Sequence, residues 1–295
     1  MNIFVIGHSV LDHISSGENF RFQPGGIFYT ALALSTLKKE DDVFDLCTGI
    51  EKDALVHFEP AFKHFSVRHC PSVERIPRVH LTIFADAERC ERFENLDTKL
   101  EIPFSELNSY DAIFINMISG FDINLEDLIK IREVFKGIIY FDVHSLSRGL
   151  GSGMVRELRT IPGFINWAAR LNIIQANENE VLTLSTKTDV QETAEELLHA
   201  GLDTLIVTKG EKGADLYYLE NGELQILFEP ALKTDVINKV GCGDVFGAYY
   251  FYNFLKTNDR RYALKVAAAA GSIVTQFDSF DKYSTLANEV YKRFD

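Results

Sequence analysis

Short apolar runs alternate with stretches of helical spacing along most of this chain. Residues 2–6 form an apolar run ending at Gly7, the mark of a buried strand. Behind Pro24-Gly25-Gly26, the residues Ile27, Phe28, Ala31, Leu32, Leu34 and Leu37 recur at helical spacing. Residues 43–48 read as a second strand and 53–64 as a helix. After Pro103 the order repeats, with a strand at 112–117, a helix at 125–135, strands at 138–143 and 171–176, a helix at 188–200 and a strand at 204–208. Such β-then-α order predicts parallel strands covered by helices on both faces.

Two stretches break that order. Residues 78–85 alternate and are placed to pair with 90–96 across 86–89. This predicts a small antiparallel sheet, either a lid over a site or a plain surface hairpin. Residues 214–219 and 223–228 flank Glu220-Asn221-Gly222, a strong hairpin signal. The chain then turns helical over 243–256, 260–276 and 282–294. Ala267 to Ala270 and Gly271 give it a small-residue face that helix packing accounts for. The expected fold class is α/β: a doubly wound, mostly parallel sheet with helices on both faces. It forms one domain over 1–295, with a small antiparallel β lid built roughly from 9–24 and 76–98.

Composition narrows the function. The chain has 295 residues, 46% hydrophobic and 25% charged, enough for a large core. Its net charge of -13 offers no broad basic field, which argues against nucleic acid or anionic membrane as partner. An anionic ligand must therefore be held by local groups. Cys47, Cys70, Cys90 and Cys242 are scattered without a Cys-x-x-Cys pair and read as free thiols of a reducing compartment. Met1 leads straight into the first strand, with no basic leader and no apolar run of membrane-spanning length, so a cytoplasmic location is expected.

The candidate chemistry lies at strand ends and one helix start. Lys239-Val240-Gly241-Cys242-Gly243-Asp244 opens onto a helical run. Two glycines and the free N–H groups of a first turn make an anion hole suited to phosphate. Asp244, in that turn, is either a general base for an attacking hydroxyl or a capping residue. Asp12 follows the first strand, where open α/β sheets bind ligands, and otherwise reads as a solvated loop aspartate. Gly25-Gly26 is a loop of close ligand approach or the turn into a helix. Asn177 and Glu180 share one helical face. They read as an outer-sphere pair for Mg²⁺, as a capping box, or as both. His8 and His13 lack metal-ligand spacing and are taken as non-ligands.

In this order the motifs resemble the ribokinase-like (PfkB-type) family of carbohydrate and nucleoside kinases, over nearly the full length. Gly7 and Asp12 look like its early substrate strand and loop, Gly25-Gly26 like its diglycine loop, and 78–96 falls where it has lid strands. Asn177-Glu178-Asn179-Glu180 matches its Asn-x-x-Glu motif. The segment from Thr208 and Lys209 through Gly210 and Gly213 to Ala214 is similar to its nucleotide-site segment. Gly241-Cys242-Gly243-Asp244 matches its Gly-x-Gly-Asp signature. The resemblance implies ATP and Mg²⁺ as cofactors, with a monovalent cation as a further candidate. It makes Asp244 the base, Gly241, Cys242 and Gly243 the anion hole, and Asp12, Gly25, Gly26 and Thr30 the substrate contacts. Thr208, Lys209, Gly210, Gly213 and Lys239 would line the nucleotide, and Asn177 and Glu180 would act on Mg²⁺ through water. Arg148, after Asp142, falls near the phosphates. A homodimer through the lid is also implied.

The chain departs from the family pattern at four places, one of them Cys242 in place of the usual small Ala. Thr30 replaces the usual Asn, Ile27 stands where ribokinases carry Lys, and Asn238-Lys239-Val240 replaces Asp-Thr-Thr. The expected function is transfer of the γ-phosphoryl of ATP to a sugar or sugar-like hydroxyl. The alternatives are a nucleoside kinase on the same fold and a non-catalytic sugar- or nucleotide-binding homologue. A dinucleotide oxidoreductase, a Walker ATPase and a nucleophile-elbow hydrolase are disfavoured, because the chain lacks their motifs.

Overall fold

A computed structural model describes residues 1–16, 19–82, 90–96 and 98–294. The chain opens with β1 (Asn2–Ile6), continues through β2 (Ser9–Ser16) and β3 (Asn19–Gly26), and enters α1 (Ile27–Leu37). Then come β4 (Val43–Cys47), β5 (Ile50–Glu51), α2 (Leu55–Phe62), β6 (Ser72–Val73), β7 (Arg78–Thr82) and β8 (Cys90–Glu94). The middle holds β9 (Ala112–Asn116), α3 (Leu125–Val134), β10 (Ile138–Asp142), β11 (Arg148–Leu150), β12 (Arg156–Leu158) and α4 (Ile165–Ala168). β13 (Ile173–Asn177), α5 (Glu178–Val181), α6 (Val190–His199), β14 (Thr204–Thr208), β15 (Ala214–Glu220) and β16 (Glu223–Glu229) follow. The chain closes with α7 (Cys242–Thr257), α8 (Arg260–Val274) and α9 (Tyr283–Tyr291).

The main sheet has the order β16-β15-β14-β13-β10-β9-β1-β4. From β14 to β4 every pairing is parallel, whereas β15 and β16 join antiparallel. The parallel strands are buried on both faces, which is why they read as unbroken apolar runs rather than as alternation. One face packs on α1, α2, α7, α8 and α9, through residues such as Phe28, Phe114, Tyr140, Tyr250 and Phe251. The other packs on α3, α4 and α6, through Ile131, Phe141, Trp167 and Leu198. The β15–β16 turn is the predicted Asn221-Gly222. Both residues have positive φ (53° and 83°), the turn that matches strand twist.

The lid is a four-stranded sheet of order β3-β2-β7-β8. β2–β3 and β7–β8 are antiparallel, as expected, while β2 runs parallel to β7. Its small core is Val10, Ile14, Val79, Leu81, Phe93 and Ile118. Asp12 is therefore not a loop residue. It sits inside β2 on the same face as Val10 and Ile14, by the two-residue period of a strand, and it is buried. Gly25-Gly26 likewise ends a strand rather than forming a free loop. The expected turn at 86–89 lies outside the described residues. Other predicted ends shift by a few residues; α2, for example, starts at Leu55 because the preceding Asp53 and Ala54 form a turn.

Candidate active site

Sheet register puts the site on one line. Asp142 pairs with Asn116 on one side and Gln175 on the other, and Asn177 pairs with Thr208. These residues mark the carboxyl ends of β9, β10, β13 and β14, the edge where open α/β sheets bind ligands. The start of α7 faces this edge.

Gly241 makes that helix start possible. It caps α7 in the left-handed region at φ 82°, a conformation that favours glycine. A Cβ there would fall inside the Tyr29 ring. Val245 N–H donates to the Gly241 carbonyl at 2.9 Å, so the helix is closed from its first turn. Gly241 has no side chain to cap α7, and the Cys242 N–H turns back to the Lys239 carbonyl at 3.4 Å, so an anion at this helix start would meet chiefly the N–H groups of Gly243 and Asp244.

Asp244 lies in this turn and faces the carboxyl end of β9. Its Oδ1 accepts from Asn116 Nδ2 at 2.7 Å and from the Thr30 hydroxyl at 3.4 Å. Asn116 Nδ2 also donates to Thr30 Oγ1 at 3.1 Å. Burial raises the Asp244 carboxyl above the usual carboxylate range, opposed by His144 and by the Asn116 and Thr30 hydrogen bonds. The result is a carboxylate that is oriented and made more basic by its surroundings, which suits a general base.

The four-stranded sheet contributes a second buried acid, Asp12. A Cβ on Gly25 would lie 2.5 Å from the Asp12 carboxylate, so that glycine makes room for the acid. Asp12 stands directly opposite Gln23 in the β2–β3 pairing. Gln23 Nε2 donates to the Tyr29 hydroxyl at 3.1 Å. Burial, then the charges of Asp12 and Asp244, push the Tyr29 hydroxyl far above its ordinary value, so it is a neutral donor lying between the two acids.

Asn177 and Glu180 form a full capping box. Asn177 Oδ1 accepts from the N–H groups of Asn179 and Glu180 at 2.9 Å each, and Glu180 Oε2 accepts from Asn177 N–H at 2.9 Å. Glu180 is buried and its charge reaches Asp142. Burial, then Asp244 and Glu180, raise the buried Asp142 carboxyl well above its usual range. Such a concentration of acid suits a hard cation with retained water. Lys209 pairs with Asp215, so its charge is already matched within the fold, while Lys239 is exposed. Thr208, Gly210 and Gly213 stand at and just beyond the end of β14. Burial raises the Cys242 thiol, which makes it a poor nucleophile rather than a reactive one.

Sequence reasoning missed Asn116, Tyr29, Gln175 and His144 as parts of this site. Asn116 carried one readable signal: it is a polar residue closing an otherwise apolar run. Tyr29 and Gln175 carried none, since an aromatic in a helix and an amide in a strand read as packing.

Residues 161–279 match the family described as pfkB family carbohydrate kinase. A deoxyribokinase of Salmonella typhi is 24% identical over 183 residues, covering 56% of this chain and 58% of that protein. An aminoimidazole riboside kinase of Salmonella typhimurium is 30% identical over 149 residues, covering 50% of this chain and 44% of that protein. The chain thus spans about half the length of the curated relatives it matches. Among solved structures, the ribokinase of Arabidopsis thaliana complexed with ribose and ATP superposes with a TM-score of 0.77 at 15% identity, covering 98% of both chains. The ribokinase of Thermotoga maritima gives 0.74 at 16%, covering 99% of this chain and 98% of that one. Residues 161–279 thus match the pfkB carbohydrate kinase family, and the fold of the chain is ribokinase-like.

Proposed function

We propose that the chain transfers the γ-phosphoryl group of ATP to a hydroxyl of a sugar or sugar-like acceptor. The observation that carries this reading is the Asp244 carboxylate, held by Asn116 and Thr30 in the same helical turn as an uncapped set of N–H groups. Base and anion hole thus come from one rigid element.

Asp244 takes the proton of the acceptor hydroxyl, whose oxygen attacks the γ-phosphorus in line as the bond to the β-phosphate oxygen breaks and ADP leaves. The N–H groups at Gly241, Cys242, Gly243 and Asp244 hold charge on the moving group, a positioning and electrostatic task. Asp12 and Gln23 of the lid, with the backbone at Gly25 and Gly26, orient acceptor hydroxyls. Thr30 replaces a family amide with a shorter hydroxyl, which donates to Asp244 at 3.4 Å and contacts the acceptor from the same place. Thr208, Gly210 and Gly213 line the nucleotide, with Lys239 at the rim. Asn177 and Glu180, beside Asp142, are the residues that would hold Mg²⁺ through water; the ion supplies charge neutralisation on the phosphates. The exposed Phe20 and Phe22 on the lid fit a homodimer through that sheet.

The test is product formation with Mg²⁺-ATP over a panel of sugars, sugar acids, polyols and nucleosides. ADP formed with a sugar supports the reading. ADP formed with nucleosides alone points to the nucleoside kinase, and binding without turnover to the non-catalytic homologue. Pyrophosphate belongs in the donor panel, because a fold neighbour with a TM-score of 0.76 is a pyrophosphate-dependent kinase of the ribokinase family.

A further inference from the structure

Gln175 lies on β13, two residues before Asn177, and is buried. Its amide makes three hydrogen bonds. Oε1 accepts from the Tyr140 hydroxyl at 2.6 Å, and Nε2 donates to Asp142 Oδ2 at 3.0 Å and to the Gly243 carbonyl at 3.1 Å. The third bond crosses from the sheet to the first turn of α7. The site has been shaped around it. A Cβ at Gly247, one turn further on, would stand 2.9 Å from the Tyr140 hydroxyl and 3.0 Å from Gln175 Oε1. Tyr140 is itself fixed, stacked on Phe114 with centroids 4.5 Å apart.

The peptide plane that carries the Gly243 carbonyl carries the Asp244 N–H on its opposite edge. A donor that grips the carbonyl from the sheet side therefore sets the direction of that N–H on the other side. This N–H is one of the first-turn donors with no intrahelical partner. The same peptide leads directly into the Asp244 side chain.

We infer that Gln175 is a positioning residue, which orients the Gly243–Asp244 peptide so that its N–H meets the transferred phosphoryl group and its carboxylate meets the acceptor. The inference rests on the kinase reading of this site and deepens it. Gln175 touches no reacting atom. It acts through a main-chain carbonyl, and Tyr140 and Asp142 fix the amide so that only one rotamer serves.

The experiment uses Gln175→Met, close in size but without N–H, and Gln175→Asn, which keeps the amide but withdraws it by one methylene. Amide hydrogen exchange is followed at Val245, whose N–H is bonded to the Gly241 carbonyl and closes the turn that holds the Gly243–Asp244 peptide, and at Ile206 in the centre of β14, together with kcat and acceptor KM for any acceptor that turns over. Both variants should raise exchange at Val245 at least ~10-fold and leave Ile206 unchanged. They should lower kcat by roughly 10- to 100-fold, somewhat less than outright loss of an oxyanion donor, with acceptor KM moving less than about 3-fold. Unchanged exchange at Val245 in a folded variant overturns the inference. So does loosening at Val245 and Ile206 alike, which marks a packing role. The wild-type chain gives a check that needs no variant: the Gln175 side-chain amide protons should be protected from exchange, and fast exchange there overturns the inference as well. If wild type turns over no acceptor, the kinase reading fails while the exchange result still decides Gln175.

Discussion

Asn116 Nδ2 donates to Asp244 Oδ1 at 2.7 Å, tying the end of a central strand to the first turn of α7. This bond favours the ionised carboxylate, while burial favours the neutral acid. Asn116→Leu removes the first influence and leaves the second. The Asp244 carboxyl then rises further, and the acid limb of the kcat/KM profile moves to higher pH. A base works only when deprotonated, so activity in the variant falls off earlier as pH is lowered. A pH–rate profile of the two proteins should show the shift together with a roughly 10-fold or larger loss at neutral pH. An unmoved acid limb would mean that Asn116 does not tune the base.

Gly241→Ala tests the close approach of Tyr29 to the start of α7. The φ of 82° costs an L-residue about 1–2 kcal/mol, and the new methyl meets the Tyr29 ring. Gly222 is the internal control: its φ is 83°, but nothing lies within 4 Å of a Cβ there. Thermal melts should show Gly241→Ala losing distinctly more stability than Gly222→Ala. Equal losses would show that Tyr29 yields easily and does not support the loop.

Much of this arrangement was legible in the sequence, and the parts that were not share a cause. Strands such as Thr204–Thr208 and the Asn221-Gly222 hairpin were readable because local pattern and turn chemistry decide them. The glycine-led helix start at Gly241 was readable because paired glycines before an apolar helical run mark a tight turn into a helix. Asp12 fell within the expected lid at 9–24, but its burial was not readable because β2 alternates weakly, with Asp12 on the same face as Val10 and Ile14. Only the finished sheet shows that this face is covered. Asn116, Tyr29 and Gln175 act through partners 128, 212 and 68 positions away in the chain, Asp244, Gly241 and Gly243, and local pattern carries no trace of that.

Asp142 marks a cost of the site. It is buried, and its carboxyl is raised by burial, Asp244 and Glu180. A carboxyl with a folded pKa above its unfolded one loses stability as pH rises from the unfolded value through the folded one. Asp142→Asn removes that loss while leaving an oxygen for Gln175. Without added Mg²⁺ the variant should melt higher at pH 8, by about 1 kcal/mol or roughly 2 °C, with little difference at pH 4. A lower melting point at pH 8 would show that the ionised Asp142 is matched by groups not accounted for above.

His8 works in the opposite sense. Its Nδ1 is 2.9 Å from Asp122 Oδ1, and its Nε2 is 2.8 Å from the Thr98 carbonyl. A carboxylate and a carbonyl both call for a donor, so the ring is held as imidazolium. Burial lowers its pKa, but the charge and hydrogen bonds of Asp122 and Thr98 outweigh this and raise it. Stability from this pair is fully present below the unfolded value near 6.5 and is lost as pH rises through the raised folded value. Urea midpoints should fall between pH 6 and pH 9, and Asp122→Asn should flatten that slope. A slope unaffected by Asp122→Asn would remove the pair from the account.

The central claim is that Asp244 is the base of a sugar phosphotransferase, and it is tested most directly by Asp244→Asn. Product formation from Mg²⁺-ATP is measured with wild type and variant on whichever acceptor the panel reveals, alongside acceptor binding by calorimetry. The account predicts turnover by wild type and a loss of about 10³-fold in kcat in the variant, with acceptor affinity changed only slightly. A variant that transfers phosphoryl groups at the wild-type rate would contradict it.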